Sequence, residues 1–359
     1  MTTPVMPPQP VPPPSRGGAP GVPATVPPDG PPAPTGTHPG YEDRALPPAA
    51  GAPVPPGSGD ERAERLLSEE AAAGSAEAWP LIGRVFWARA RRHPGFVLGG
   101  LLTGLLLLMA ALSLVWTPHP FDAIDMAATL QPPSATHWLG TDAYGHDVFS
   151  QLLVGAQASI LAGLIAVGIG VGAGVLLGLL AAARPGWVQE SIMRTTDFML
   201  AFPAILTAIM LTAVWGASLG NAIIAVGIYN IPTFVRLTRA SAASVWSREY
   251  VLAARALGMG PWQITRRHVL PNILPVLLVQ ATSRFAVAIL AEAALSYLGF
   301  GVQPPQPSWG RMLAEAQTLM FEAPLLALWP GLAIMLAVLG LNLLGDALGD
   351  LLDPRRRRR

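Results

Sequence analysis

The sequence contains no cysteine and no lysine, and only 13% of its 359 residues are charged. Without cysteine the chain can form no disulfide framework, thiolate metal site or thiol nucleophile. Without lysine it has no Walker A loop, because that loop places a lysine on the nucleotide phosphates. A soluble domain carries about 25% charged residues. The low charge and the 51% of hydrophobic residues therefore predict a membrane protein whose positive charges are all arginine.

The N-terminal part of the chain has little that could form a core. Residues 1–60 contain 20 of the 38 prolines, with glycine, alanine and threonine between them. This composition predicts a disordered, partly polyproline-II tail, which we extend through the charged, alanine-rich segment to residue 78. Residues 79–95 are amphipathic and basic, which is typical of a helix lying on a membrane surface.

The rest of the chain contains six apolar segments. A span needs about 20 residues to cross a hydrocarbon core of about 30 Å. The sequence therefore predicts an all-α, polytopic transmembrane helix bundle, in which 96–116 is the first transmembrane helix, 117–157 is a loop and 158–345 is the core transmembrane domain. The predicted spans are 96–116, 158–183, 199–216, 220–240, 274–298 and 326–345, and Pro203 breaks the third.

The arginines are distributed unevenly between the loops. Residues 117–157 contain four aspartates and no arginine, whereas residues 236–271 contain six arginines and one acid. Arginines also close the C-terminal segment 346–359. Because loops rich in arginine stay in the cytoplasm, we expect both termini and the loop 242–271 to be cytoplasmic and 117–157 to be external.

Residues 247–271 are a polar stretch between two apolar segments. Ser247 is predicted to cap a short helix, and Glu249 favours its first turn through the helix dipole. The helix has one modest apolar face with the spacing i, i+3, i+4 and i+7, formed by Tyr250, Ala253, Ala254 and Leu257.

Glycine and proline predict where that helix ends and where the next one begins. Gly258 suits the left-handed position after a helix. Pro261 favours the first turn of a second short helix, which Pro271 is expected to end or kink.

This stretch resembles the EAA loop of ABC-importer permeases, in particular the dipeptide/oligopeptide/nickel permease family. The match is Leu252-Ala-Ala-Arg-Ala-Leu-Gly258 followed by Leu270-Pro271-Asn272, with Leu252 in place of the glutamate that names the motif. In that family the loop is a coupling helix that docks on an ATPase subunit, and a plain amphipathic connector is the alternative interpretation. The resemblance implies ATPase coupling through Glu249, Leu252, Ala253, Ala254, Arg255, Gly258, Leu270 and Pro271.

Other segments resemble the same family. They are 137–160 with its Leu-Gly-Thr-Asp, 194–203 ending in Ala-Phe-Pro, 291–299, 302–310 with Pro-Ser-Trp-Gly, and 345–354. Within the first of these, His137, Asp142, His146 and Asp147 are interpreted as turn caps, so we expect no metal site.

The resemblance implies a type I ABC-importer permease in the cytoplasmic membrane of a bacterium. Such a chain carries peptides or a related small solute, including nickel chelates, and catalyses no bond chemistry. Its partners would be a second homologous permease, two ATPase subunits that hold ATP and Mg²⁺, an external solute-binding protein and the lipid bilayer, with no cofactor of its own and no nucleic acid. The alternative is an ion-coupled secondary transporter that acts without an ATPase.

Two ionisable residues, Arg284 and Glu292, lie inside the fifth predicted span. A charge at that depth is costly and usually faces the bundle interior or a watery cavity. We therefore consider both as translocation-pathway residues, although Arg284 could instead extend to the cytoplasmic surface.

Overall fold

The computed structural model describes residues 87 and 89–352, and these contain α-helices and short helical turns but no β-strand. The all-α prediction is therefore confirmed. Ten helices are named in chain order: α1 Pro94–Ser113, α2 Val148–Ala183, α3 Trp187–Leu200, α4 Ala204–Trp215, α5 Leu219–Trp246, α6 Glu249–Ala256, α7 Pro261–Ile264, α8 Leu270–Tyr297, α9 Trp309–Ala316 and α10 Leu325–Leu352.

Glycines on α2 bring it into close contact with α5. A Cβ built on Gly174 would lie 2.5 Å from the Cβ of Phe234, and one on Gly178 would lie 2.6 Å from the Cβ of Thr238. Gly170 meets α5 in the same way, so glycines at i, i+4 and i+8 line one face. Small residues let helix backbones approach closely in lipid, where packing drives association.

A second close pair joins the first and last helices. A Cβ on Gly99 of α1 would lie 2.5 Å from the backbone nitrogen of Leu344, and one on Gly340 of α10 would lie 2.6 Å from the Cβ of Leu102. Helix α8 completes the bundle, because Phe285 fills the space left by Gly163 of α2. At each of these three crossings, the helices pack closely because a glycine has no side chain there.

Among the described residues, four helical segments are long and apolar enough to span a membrane, and the bent pair α3 and α4 makes a fifth. The four are Pro94–Ser113, Val148–Ala183, Pro261–Tyr297 and Leu325–Leu352. The bent pair turns by 86° close to Pro203, where the sequence predicted a break. The remaining predicted span, 220–240, lies within the 28-residue helix α5, which is less apolar because it carries Asn221, Asn230 and Arg236.

Several boundaries differ from the predicted ones. Helix α2 begins at Val148, inside the segment predicted as the loop 117–157, and α10 continues to Leu352, beyond the predicted end of the span at 345. The earlier start of α2 follows from Asp147, whose carboxylate accepts a hydrogen bond from the backbone N–H of Ser150 and caps the helix. The predicted tail 1–78 and most of the segment 79–95 lie outside the described residues.

The glycine face of α2 gives a direct test of this packing. Gly174→Ala should destabilise the chain by about 1–3 kcal/mol, because the new Cβ meets Phe234 and the backbone oxygen of Ile231. Gly172→Ala is the matched control, since no atom lies within 4 Å of its Cβ position. The measurement is thermal unfolding in detergent, followed by tryptophan fluorescence. Equal melting temperatures for the two variants would contradict the packing described.

Candidate functional site

Helix α6, Glu249–Ala256, is the short helix predicted in the polar stretch. Its N-cap position is held by Arg248, which makes no side-chain capping bond, and Glu249 lies in the first turn as expected. The prediction that Ser247 caps this helix is wrong. Ser247 is instead the residue after α5, and its hydroxyl donates to the backbone oxygen of Ser244. Helix α5 extends further than predicted, to Trp246, so that Ser247 becomes the C-cap of α5.

Helix α6 has one buried and one exposed face. Val251 and Ala254 are buried, whereas Tyr250, Leu252 and Leu257 are exposed, Leu257 by 85%. The predicted apolar face, which included Tyr250 and Leu257, is therefore mostly not the face that packs on this chain. These exposed apolar side chains lie on the side of α6 that faces away from the bundle.

Gly258 ends α6 as predicted. Its φ is +81°, in the left-handed region where a side chain would be strained. The N–H of Met259 donates to the oxygen of Ala254 and the N–H of Gly258 to that of Arg255, which is the Schellman arrangement. This sharp stop leaves Leu257 at the tip of the loop.

The chain then returns to the bundle through a wide helical turn. Pro261 begins the short helix α7, a π-helical turn follows over Thr265–Val269, and α8 begins at Leu270. Pro271 was expected to end or kink the second short helix, but that helix ends at Ile264 and Pro271 lies in the first turn of α8. A proline is tolerated there because its missing N–H is not needed.

Buried apolar side chains join the loop to the transmembrane helices. Val251 and Ala254 belong to one core cluster with Ile264 of α7, Val269 of the π turn and Ile273 of α8. The same cluster includes residues of α2 and α5, among them Val167, Phe234 and Val245. The loop and these helices therefore share one packed apolar core.

The loop also exposes several arginines. Arg248, Arg255, Arg266 and Arg267 are all exposed on the loop. A loop that exposes both apolar side chains and arginines suits a protein-binding surface, since arginine is enriched in such surfaces and its stem covers apolar area.

The structure brings together most of the predicted coupling residues. Glu249, Leu252, Ala253, Arg255 and Gly258 are all exposed on α6 or at its end, and Ala254 is buried beneath them. Leu270 and Pro271 lie beyond the π turn, at the start of α8. Val251 was not among the predicted coupling residues, although its three-residue spacing from Ala254 marks both as members of one helix face.

The two ionisable residues of α8 lie in different surroundings. Glu292 is buried, and its Oε1 accepts a hydrogen bond of 2.7 Å from the hydroxyl of Ser296. That hydroxyl also accepts from the backbone N–H of Val302, so the carboxylate is linked to the loop before α9. Arg284 is partly exposed. Arg284 is therefore more accessible than Glu292.

The first residue of α9 inserts into the bundle. Trp309 is buried, its indole N–H donates to the backbone oxygen of Leu152 at 3.0 Å, and its ring fills the space beside Gly155. The hydroxyl of Ser308 accepts from the N–H of Arg311 and caps α9. Trp309 therefore attaches the start of α9 to α2. This contact lies at the end of the bundle opposite to α6.

Comparison with known proteins gives a consistent family. Residues 174–358 match the family described as binding-protein-dependent transport system inner membrane component. Residues 82–133 match the N-terminal TM domain of oligopeptide transport permease C.

Similar curated proteins cover most of the chain. The glutathione transport system permease GsiD of Pectobacterium atrosepticum is 42% identical over 76% of this chain and 91% of its own length. The dipeptide transport system permease DppC of Alkalihalophilus pseudofirmus is 42% identical over 73% of this chain and 86% of its own. The probable D,D-dipeptide permease DdpC of Escherichia coli K12 is 40% identical over 81% and 98%.

The motifs, the helical bundle and these matches agree over most of the chain. The chain therefore belongs to the dipeptide/oligopeptide family of ABC-importer permeases and is a multi-pass inner-membrane subunit of such a transporter.

Proposed function

We propose that this chain forms half of a translocation pathway for short peptides, driven by ATPases that grip the loop 248–271. The observation that carries the proposal is the two-sided helix α6, with Val251 and Ala254 packed in the bundle and Leu257 exposed at the tip. The relatives named for dipeptides and for glutathione support a peptide substrate. A second homologous permease would form the other half, and an external binding protein would deliver the peptide.

Energy reaches the pathway by mechanical coupling. ATP and Mg²⁺ are bound by the ATPase subunits, and this chain catalyses no bond chemistry. When the ATPases close, they displace α6, and the cluster around Val251 moves α5 and α8 with it. Arg284, partly exposed on α8, is the residue that we place beside the pathway, whereas buried Glu292 fixes the loop before α9.

The role of Gly258 is to present Leu257. The left-handed residue stops α6 abruptly, so that the leucine at its end stays out of the core of this chain. Leu252, which replaces the glutamate of the motif, is also exposed and adds apolar area to the same surface. The docking of this loop therefore depends more on apolar contact and arginine than on a carboxylate.

Leu257→Asp tests the docking surface. It should leave the melting temperature of this chain unchanged, because Leu257 packs against little of it, and should weaken ATPase binding about 30-fold, as loss of a central apolar anchor costs about 2 kcal/mol. The measurement is binding of the purified ATPase to the permease pair in nanodiscs. Phe321→Asp is the matched control, because Phe321 is fully exposed in the segment between α9 and α10, away in sequence from the loop 248–271. Unchanged ATPase binding by Leu257→Asp would contradict the assignment of this docking surface.

The orientation of the loop is tested by labelling, which the absence of cysteine makes simple. Leu257→Cys should react with a membrane-impermeant maleimide only after the cells are opened, because the arginine-rich loop is proposed to be cytoplasmic. Phe321→Cys should react in intact cells. Labelling in the reverse order would overturn the orientation.

A further inference from the structure

Two histidines and an aspartate meet at the N-terminus of α2, opposite to the coupling loop. The Nδ1 atom of His137 lies 3.0 Å from Oδ1 of Asp147, and the Nδ1 atom of His119 lies 3.9 Å from the same oxygen. Ligand atoms of the three residues all lie within 4.8 Å of one another. The two imidazole rings are neighbours, with centroids 4.6 Å apart.

These separations fit a small divalent cation. Zn²⁺ binds histidine nitrogen and carboxylate oxygen at about 2.0–2.2 Å, so two ligands of a tetrahedral site lie about 3.3 Å apart. The observed distances of 3.0 and 3.9 Å lie on either side of that value. The three ligand atoms are close enough for one ion to lie among them.

One serine holds the ligands in place. The hydroxyl and the backbone N–H of Ser150 both donate to Oδ2 of Asp147, which leaves Oδ1 turned to the imidazoles. The same hydroxyl accepts from the backbone N–H of His119. Ser150 is fully buried, so it ties the segment after α1 to the start of α2. Secondary contacts of this kind orient the ligands of metal sites.

The hydrogen bonds of the cluster leave one ligand atom unused. Nδ1 of His119 is buried and has no hydrogen-bond partner among the described residues, although it faces Asp147. His137 alone already forms a structural histidine–aspartate hydrogen bond with Asp147. That bond does not account for the position of the His119 Nδ1 atom. The His119 side chain is 39% exposed, so the cluster lies close to the surface of the protein.

We propose that His119, His137 and Asp147 bind a zinc-class divalent cation, with a fourth position open to water. Two imidazoles favour Zn²⁺ over Mg²⁺ and Ca²⁺, which prefer oxygen ligands. The bound ion clamps the segment after α1 to the N-terminus of α2 and stabilises this end of the bundle. The site departs from the expectation of no metal, which was formed without His119.

Zinc titration of the full-length chain tests the site. The protein is purified with a tag that contains no histidine, and calorimetry with Zn²⁺ alone should show one saturable site per chain. His119→Gln and His137→Gln should each weaken that binding at least 10-fold, since each removes one of three ligands. His146→Gln is the matched control, because His146 lies in the same loop but pairs with Asp142 at 2.7 Å. It should bind as the unmodified chain does.

Two further readouts keep the test independent of how the variants fold. Zn²⁺ should raise the melting temperature of the unmodified chain and not that of His119→Gln. Co²⁺ added to the unmodified chain should give the intense visible absorption of a tetrahedral site. No saturable zinc binding, an equal loss in His146→Gln, or only the weak spectrum of octahedral Co²⁺ would each overturn the proposal.

Discussion

The close approach of α2 and α5 is the contact on which the rest of the structure depends. Gly170, Gly174 and Gly178 let the two backbones meet, and Phe234 and Thr238 fill the space that side chains would take. Phe234 is also fully buried in the cluster that holds α6. The helix pair that builds the bundle is therefore the same pair that receives the coupling loop.

At the opposite end of the bundle, polar contacts add to the apolar packing around Trp309. Asp147 and Ser150 cap α2, and Trp309 donates to Leu152 one turn further on. Glu292 and Ser296 link α8 to the loop before α9. These hydrogen bonds tie α2, α8 and the start of α9 to one another at this end of the bundle.

Much of the architecture could be predicted from the sequence, because long apolar segments have few alternatives in a membrane. The break at Pro203, the left-handed Gly258 and the short helix in the polar stretch are confirmed. The assignment to the permease family is confirmed by the matched residues 174–358. These features depend on residues that are close together in sequence, so a sequence motif is enough to predict them.

The parts that the sequence could not predict depend on tertiary contacts. Spacing alone gave α6 an apolar face, but only the packed bundle shows that Val251 is buried while Leu257 is exposed. Ser247 has the composition of a cap, yet α5 extends to Trp246 and uses it otherwise. His119 escaped notice because it lies 18 residues before His137, and the fold alone brings them together. The coupling and pathway roles of the named residues stay predictions.

The most direct test of the account is to purify this chain in mild detergent from its own host and identify what accompanies it. Coupling through α6 predicts a second permease and an ATPase in the complex, with vanadate-sensitive ATP hydrolysis. The contrary result is a homo-oligomer without an ATPase whose solute flux in liposomes follows a proton or sodium gradient, because an ion-coupled carrier needs no coupling loop.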